Sequence, residues 1–193
     1  MSRPVVNARL NLLKYGKEML LKEGYFSLSV NRLTKTCNMA TGTFYRYFPG
    51  KSDLVVVIVQ TDWNAMLTRM ETISKQKITF AEKLRGIFME LKGFTDLYEN
   101  IWVQFGAEKG NVERFRAIRT TCLQQVADLV TDLLRARSSA RADFTLTMAD
   151  TALATLIVQN MLIIARTEVL TIDAFLTILG KWARVPKEHA PKK

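Results

Sequence analysis

Thr41, Gly42, Thr43, Tyr45, Arg46, Tyr47 and Lys51 crowd into one short stretch of the chain, and their types share one chemistry. The hydroxyls of Thr43, Tyr45 and Tyr47 can donate hydrogen bonds to phosphate oxygens. Arg46 can reach a guanine edge or a phosphate, and Thr41 a base edge or a thymine methyl. Gly42, with no side chain, lets backbone approach a partner closely. Lys51 opens a following helix, where its charge and the free amides together suit a phosphate. The set fits a nucleic-acid duplex.

Catalytic chemistry finds little to work with. The one histidine, His189, lies in the polar end of the chain, and two cysteines, Cys37 and Cys122, make neither a disulfide framework nor a four-thiolate zinc site. No catalytic residue, metal ligand or cofactor is therefore expected. A helical enzyme would have to draw on carboxylates such as Glu90, Asp96 and Glu99, and these show no paired spacing. The thiols read as small core residues.

The elements that position the candidate surface form a helix-turn-helix. Val30 and Leu33 anchor a short helix, 29–36, to a long one, 5–23, that Gly24 closes. Asn38 stands at the turn, where a left-handed residue is wanted and Asn tolerates it better than most. A second short helix, 40–47, is pinned from beneath by Met39, Phe44 and Phe48. Tyr45 and Tyr47 cannot share that buried face, so they point outward with Ala40–Thr43 and Arg46. Such a face suits a helix that enters the major groove. Charge agrees: of a net charge of +10 over 193 residues, residues 1–53 carry +6, from nine Lys/Arg against Glu18, Glu23 and Asp53. A basic excess favours a polyanion, nucleic acid or an anionic membrane surface.

At these residues the chain resembles the TetR family of bacterial transcriptional regulators. The resemblance runs through Gly24-Tyr25, Ser29-Val30, Leu33, Asn38-Met39, Thr41 to Phe48 and Lys51 to Leu54. Thr34, Cys37 and Ala40 depart from the pattern, and Ala40 removes a side-chain cap of about 1 kcal/mol from the second short helix. Helical spacing throughout, with no convincing period-two alternation, makes the expected fold all-α, and residues 186–193 form a basic tail. The resemblance implies an N-terminal helix-turn-helix domain (1–53) and a larger helical ligand-binding and dimerisation domain (54–185). It implies a homodimer formed through the last two long helices, about 143–167 and 171–184. It also implies a double-stranded DNA operator and a small-molecule effector, and so a repressor released from DNA by its ligand.

The remaining periodicity is helical. A helix over 51–75 is expected despite Val55-Val-Val-Ile-Val59, whose β-branched run favours a strand, because Trp63, Met66 and Met70 continue at helical spacing. Thr79-Phe-Ala-Glu82 is a capping box before another helix, Asn111 starts the next, and Thr171 caps the last. The broad apolar surface of 143–167, including Phe144, Leu146 and Met148, exceeds one stripe and suits a dimer seam or a buried core helix. Trp63, Met66, Met70, Phe88, Phe94, Tyr98, Trp102 and Phe105, with Met89, are candidate walls of a pocket for an apolar or aromatic ligand. Ordinary core packing is the plainer reading of each.

Three other function classes compete with this reading. An architectural or partner-recruiting DNA-binding protein with no inducer shares the N-terminal reading; a helical enzyme and a peripheral membrane protein do not explain the helix-turn-helix. No signal peptide opens the chain. The most apolar stretch, Leu153 to Ala165, contains Gln159 and Asn160 and is too short for a bilayer, which needs roughly 20 apolar residues. A cytoplasmic protein that does not engage membranes is expected.

Overall fold

The computed structural model describes residues 7–139, 149–167 and 169–182. Among them the fold is all-α, with eight helices and no strand: α1 Ala8–Ser27, α2 Val30–Thr36, α3 Thr41–Tyr45, α4 Lys51–Lys75, α5 Phe80–Ala107, α6 Val112–Ser139, α7 Asp150–Thr167 and α8 Ile172–Trp182. The chain forms two compact units. One holds Met1–Ala65 with Leu97–Arg119, and the other Met66–Asp96 with Thr120–Lys193.

In the first unit, Leu12, Gly16 and Leu20 form the buried stripe of α1. A Cβ on Gly16 would stand 3.0 Å from Leu54 and 3.3 Å from Ile58, so the bare glycine lets α1 lie close to α4. Gly24 interrupts α1 at φ 81°, ψ 174°, backbone that only glycine adopts freely, and helix resumes for one more turn. The sequence placed the end of the first helix there; the structure makes it a kink. Any Cβ on Gly24 would also meet the Gln104 amide oxygen at 2.9 Å.

The turn after α2 is a complete Schellman motif. Asn38 takes φ 51°, its amide bonds Lys35 O (3.0 Å), and the Met39 amide bonds Thr34 O (2.9 Å). α3 is shorter than expected, since Arg46 and Tyr47 close it as a turn on Phe44 O. The strand-favouring run is helical: Val55, Val56, Ile58 and Val59 are buried in α4, so packing overrides local preference.

In the second unit the capping box of α5 forms as the sequence predicts, with Thr79 N to Glu82 (2.7 Å) and Glu82 N to Thr79 Oγ1 (3.2 Å). Thr171 Oγ1 caps α8 by accepting from Ala174 N (3.2 Å). The helix expected from residue 143 is described from Asp150; Phe144, Leu146 and Met148, like residues 183–193, lie outside the described residues. Much of the broad apolar surface of α7 is buried within the chain itself: Leu153, Ala154, Ile157, Val158, Met161, Leu162, Ile164 and Ala165. Leu156 and Ile163 remain exposed.

Candidate nucleic-acid interface

Phe44 and Phe48 are almost wholly buried, with ring centroids 5.7 Å apart, and they fix which side of α3 faces inward. The opposite side carries Tyr45 and Tyr47, 56% and 43% exposed, together with exposed Arg46 and Gly42 and half-buried Thr43. A Cβ on Gly42 would meet nothing within 4 Å. The fold itself thus does not need glycine there, which leaves room for an outside surface to come close.

Thr41 is less free than its neighbours. Its hydroxyl donates to Asn31 Oδ1 (3.3 Å) and lies 3.4 Å from Thr34 Oγ1, while Thr34 donates to Asn31 O (3.1 Å). This small network ties α2 to the first residue of α3, where Ala40 supplies no side-chain cap. Thr34, which departs from the family pattern, is buried and serves that tie.

Lys51 faces inward. Its side chain is 22% exposed, with the ammonium 3.7 Å from the Glu108 carboxylate, 3.4 Å from Tyr25 O and 4.1 Å from the centre of the Tyr25 ring. Beneath it lies a polar cluster that sequence reasoning missed. The Glu108 carboxylate accepts from the Tyr25 hydroxyl, from Ser52 Oγ (3.1 Å) and from Asn111 Nδ2 (2.7 Å). Arg114 pairs with Asp53 at 2.9 Å. Burial, then the bond to Glu108, pushes the Tyr25 hydroxyl up to about 12. Partial burial works to raise the Glu108 carboxyl, but the bonds from Tyr25, Ser52 and Asn111 and the Lys51 charge outweigh it, and the group is held below the usual carboxylate range. No local spacing could have revealed this cluster, because Tyr25 and Glu108 are 83 positions apart.

The candidate ligand residues divide. Trp63, Tyr98, Trp102 and Phe105 belong to the first unit, and Met66, Met70, Phe88 and Phe94 to the second. Trp102 stacks edge-on against Phe105 (5.3 Å) and lies 5.7 Å from Phe115, while Phe105 meets Tyr25 at 5.4 Å. The Tyr98 hydroxyl donates to Asp62 (2.6 Å), which Lys17 also pairs; burial and that carboxylate raise the phenol strongly. In the second unit Met66, Met70 and Phe88 are buried, Phe94 is half-buried, and Met89 is exposed. A cavity of about 410 Å³ in that unit is lined by Thr79, Phe80, Ala81, Arg137, Leu176, Leu179 and Gly180, none of them among the eight candidates.

Of the carboxylates a helical enzyme would need, Glu90 is paired with Arg69 and Asp96 with Lys92, both at 2.8 Å. Burial raises both thiols, Cys122 to about 11, which keeps them protonated. Among the described residues no group of three or more His, Cys, Asp or Glu is placed to hold a metal, and no helix is long and apolar enough to cross a membrane.

Residues 12–58, from within α1 to within α4, match the profile of bacterial regulatory proteins of the tetR family. An HTH-type transcriptional regulator of Staphylococcus aureus (strain bovine RF122 / ET3-1) is 25% identical over 135 residues, 70% of this chain and 71% of that relative. The fatty acid metabolism regulator protein of Bacillus subtilis (strain 168) is 29% identical over 75 residues, 39% of each chain. Among solved structures, the Bacillus subtilis transcriptional regulator FadR in complex with stearoyl-CoA superposes with a TM-score of 0.66 at 18% identity, over 91% of this chain and 98% of that one. At that identity the likeness is one of fold.

Proposed function

We propose that this chain, whose residues 12–58 match the profile of bacterial regulatory proteins of the tetR family, is a DNA-binding transcriptional regulator of that kind, a homodimeric repressor released from its operator by a small apolar or aromatic ligand. Each subunit sets residues 40–47 into the major groove of one half-site of a roughly palindromic operator, with half-sites about 34–36 Å apart. One observation carries this reading: the outward side of α3 and its closing turn, where Tyr45, Arg46 and Tyr47 stand exposed beside Gly42 while Phe44 and Phe48 hold the other side inside.

Tyr45, Tyr47, Thr43 and Lys51 are assigned to phosphates, and Arg46 and Thr41 to bases. The Thr41 hydroxyl already has partners, so contact with a thymine methyl is the use that leaves its bonds to α2 intact. DNA reading is assigned to 1–53 and ligand binding and dimerisation to 54–185. Exposed Leu156 and Ile163 on α7 and Ile178 on α8 support a second copy of this chain as the partner of those helices.

An effector acts only through its different affinity for the DNA-competent and DNA-incompetent arrangements. The structural neighbour carries stearoyl-CoA, which makes a long-chain acyl thioester the first compound to try. Selection from a random duplex pool, followed by anisotropy titration, tests the DNA assignment. A palindromic site should emerge, and Tyr45→Ala should weaken binding on every sequence. Failure of the pool to enrich, with Tyr45→Ala binding like the parent chain, would refute it. For the ligand, a compound at 100 times its dissociation constant adds about 2.7 kcal/mol to stability, so an unmoved melting temperature with stearoyl-CoA removes that candidate.

A further inference from the structure

In the free chain, Lys51 is not presented as a phosphate contact needs it. Its ammonium has the Glu108 carboxylate at 3.7 Å, the Tyr25 carbonyl at 3.4 Å and the Tyr25 ring face at 4.1 Å. Tyr25 is fully buried and cannot follow the lysine outward. Glu108 in turn is held in place by Tyr25, Ser52 and Asn111, three donors that leave the carboxylate little freedom to move with the ammonium. Lys51 is a flexible point charge on a four-carbon stem, able to swing from one anion to another. A phosphate at the start of α4 and the Glu108 carboxylate therefore compete for the same cation.

We infer that Lys51 is a phosphate contact held in reserve, and that Glu108, in the turn between α5 and α6, is the positioning residue that holds it. Glu108 touches no DNA in this arrangement. It acts by already neutralising the charge that a phosphate would otherwise meet, so the turn that carries it sets how much electrostatic affinity the start of α4 supplies. The inference rests on the reading that α3 and the start of α4 dock on DNA.

A double-mutant cycle on the full-length chain tests it, with the slope of log K against log salt on one fixed duplex as the readout. Each phosphate neutralised contributes about 0.9 to that slope. Glu108→Gln is expected to steepen the slope by about one unit. In that background Lys51→Ala should take the unit away, whereas in the parent chain Lys51→Ala should change the slope by less than about half a unit. A Glu108 that merely supports folding would lower affinity without steepening the slope. Equal effects of Lys51→Ala in both backgrounds overturn the inference while leaving Lys51 a phosphate contact. No effect of Lys51→Ala in either background overturns the phosphate contact itself, and Tyr45→Ala on the same duplex then reports whether α3 docks at all. Should Glu108→Gln not fold, Glu108→Asp keeps the charge but shortens its reach toward Lys51. It is expected to steepen the slope part of the way, and an unchanged slope overturns the inference.

Discussion

α3 and α8 are both short helices left with one side incompletely covered, and the uncovered sides have opposite chemistry. α3 buries Phe44 completely and, with the turn that closes it, sets Tyr45, Arg46 and Tyr47 outward. α8 has no fully buried residue among its described side chains. Ile172, Phe175, Leu176 and Leu179 are half-buried and Ile178 is 47% exposed. A helix already anchored by its own apolar side can offer donors to a polyanion. A helix whose apolar side is half wet gains by meeting another apolar surface. The interiors differ likewise: the first unit hides Tyr25 and Asn111 in a carboxylate-centred cluster, while α7 in the second is lined by aliphatic side chains.

The largest expected effect removes what α3 has and α8 lacks. Phe44→Ala should destabilise the chain by about 3–5 kcal/mol, measured by denaturant unfolding, and abolish operator binding at temperatures where the parent chain binds. Retained binding would mean that Phe44 does not set the outward side of α3. Comparable in size is the counterpart on the apolar side. Ile163→Glu with Ile178→Glu would bury unpaired charges, which cost about 3–5 kcal/mol, and should shift sedimentation from dimer to monomer. A dimer that survives both substitutions removes these side chains from the seam.

The polar cluster gives a smaller effect with a defined sign. Tyr25 is raised to about 12 in the folded chain from an ordinary value near 10. Its share of stability is therefore fully present below pH ~10 and is lost as pH rises from ~10 toward ~12, by about 2–3 kcal/mol. Tyr25→Phe should flatten that part of the alkaline stability profile; an unchanged profile would show that the hydroxyl is not held as the structure has it. The smallest effects lie on the outward side of α3. Tyr45→Ala should weaken binding about tenfold on all sequences, some 1.4 kcal/mol. Arg46→Ala should instead change the preference among operators, and a uniform loss would reassign Arg46 to phosphate.

Much of the fold was legible because its causes are local. Asn38 in a left-handed turn, Gly24 at a break, the Thr79–Glu82 box and the Thr171 cap each follow from residue types within a few positions. The valine-rich run of α4 was legible only because Trp63, Met66 and Met70 carried its period onward. Less legible were the eight aromatic and methionine residues proposed as pocket walls. Core packing and ligand contact ask for the same side chains, and the structure commits Tyr98 to Asp62 and Trp102 to Phe105 and Phe115.

What the sequence by itself determined is the identity of the exposed side of α3, since helical period and two phenylalanines leave the tyrosines nowhere else to go. Where the charge of Lys51 is directed was decided only by tertiary structure. Its partner carboxylate is supplied by a distant turn, and an electrostatic preference depends on separation in space, which chain order does not encode.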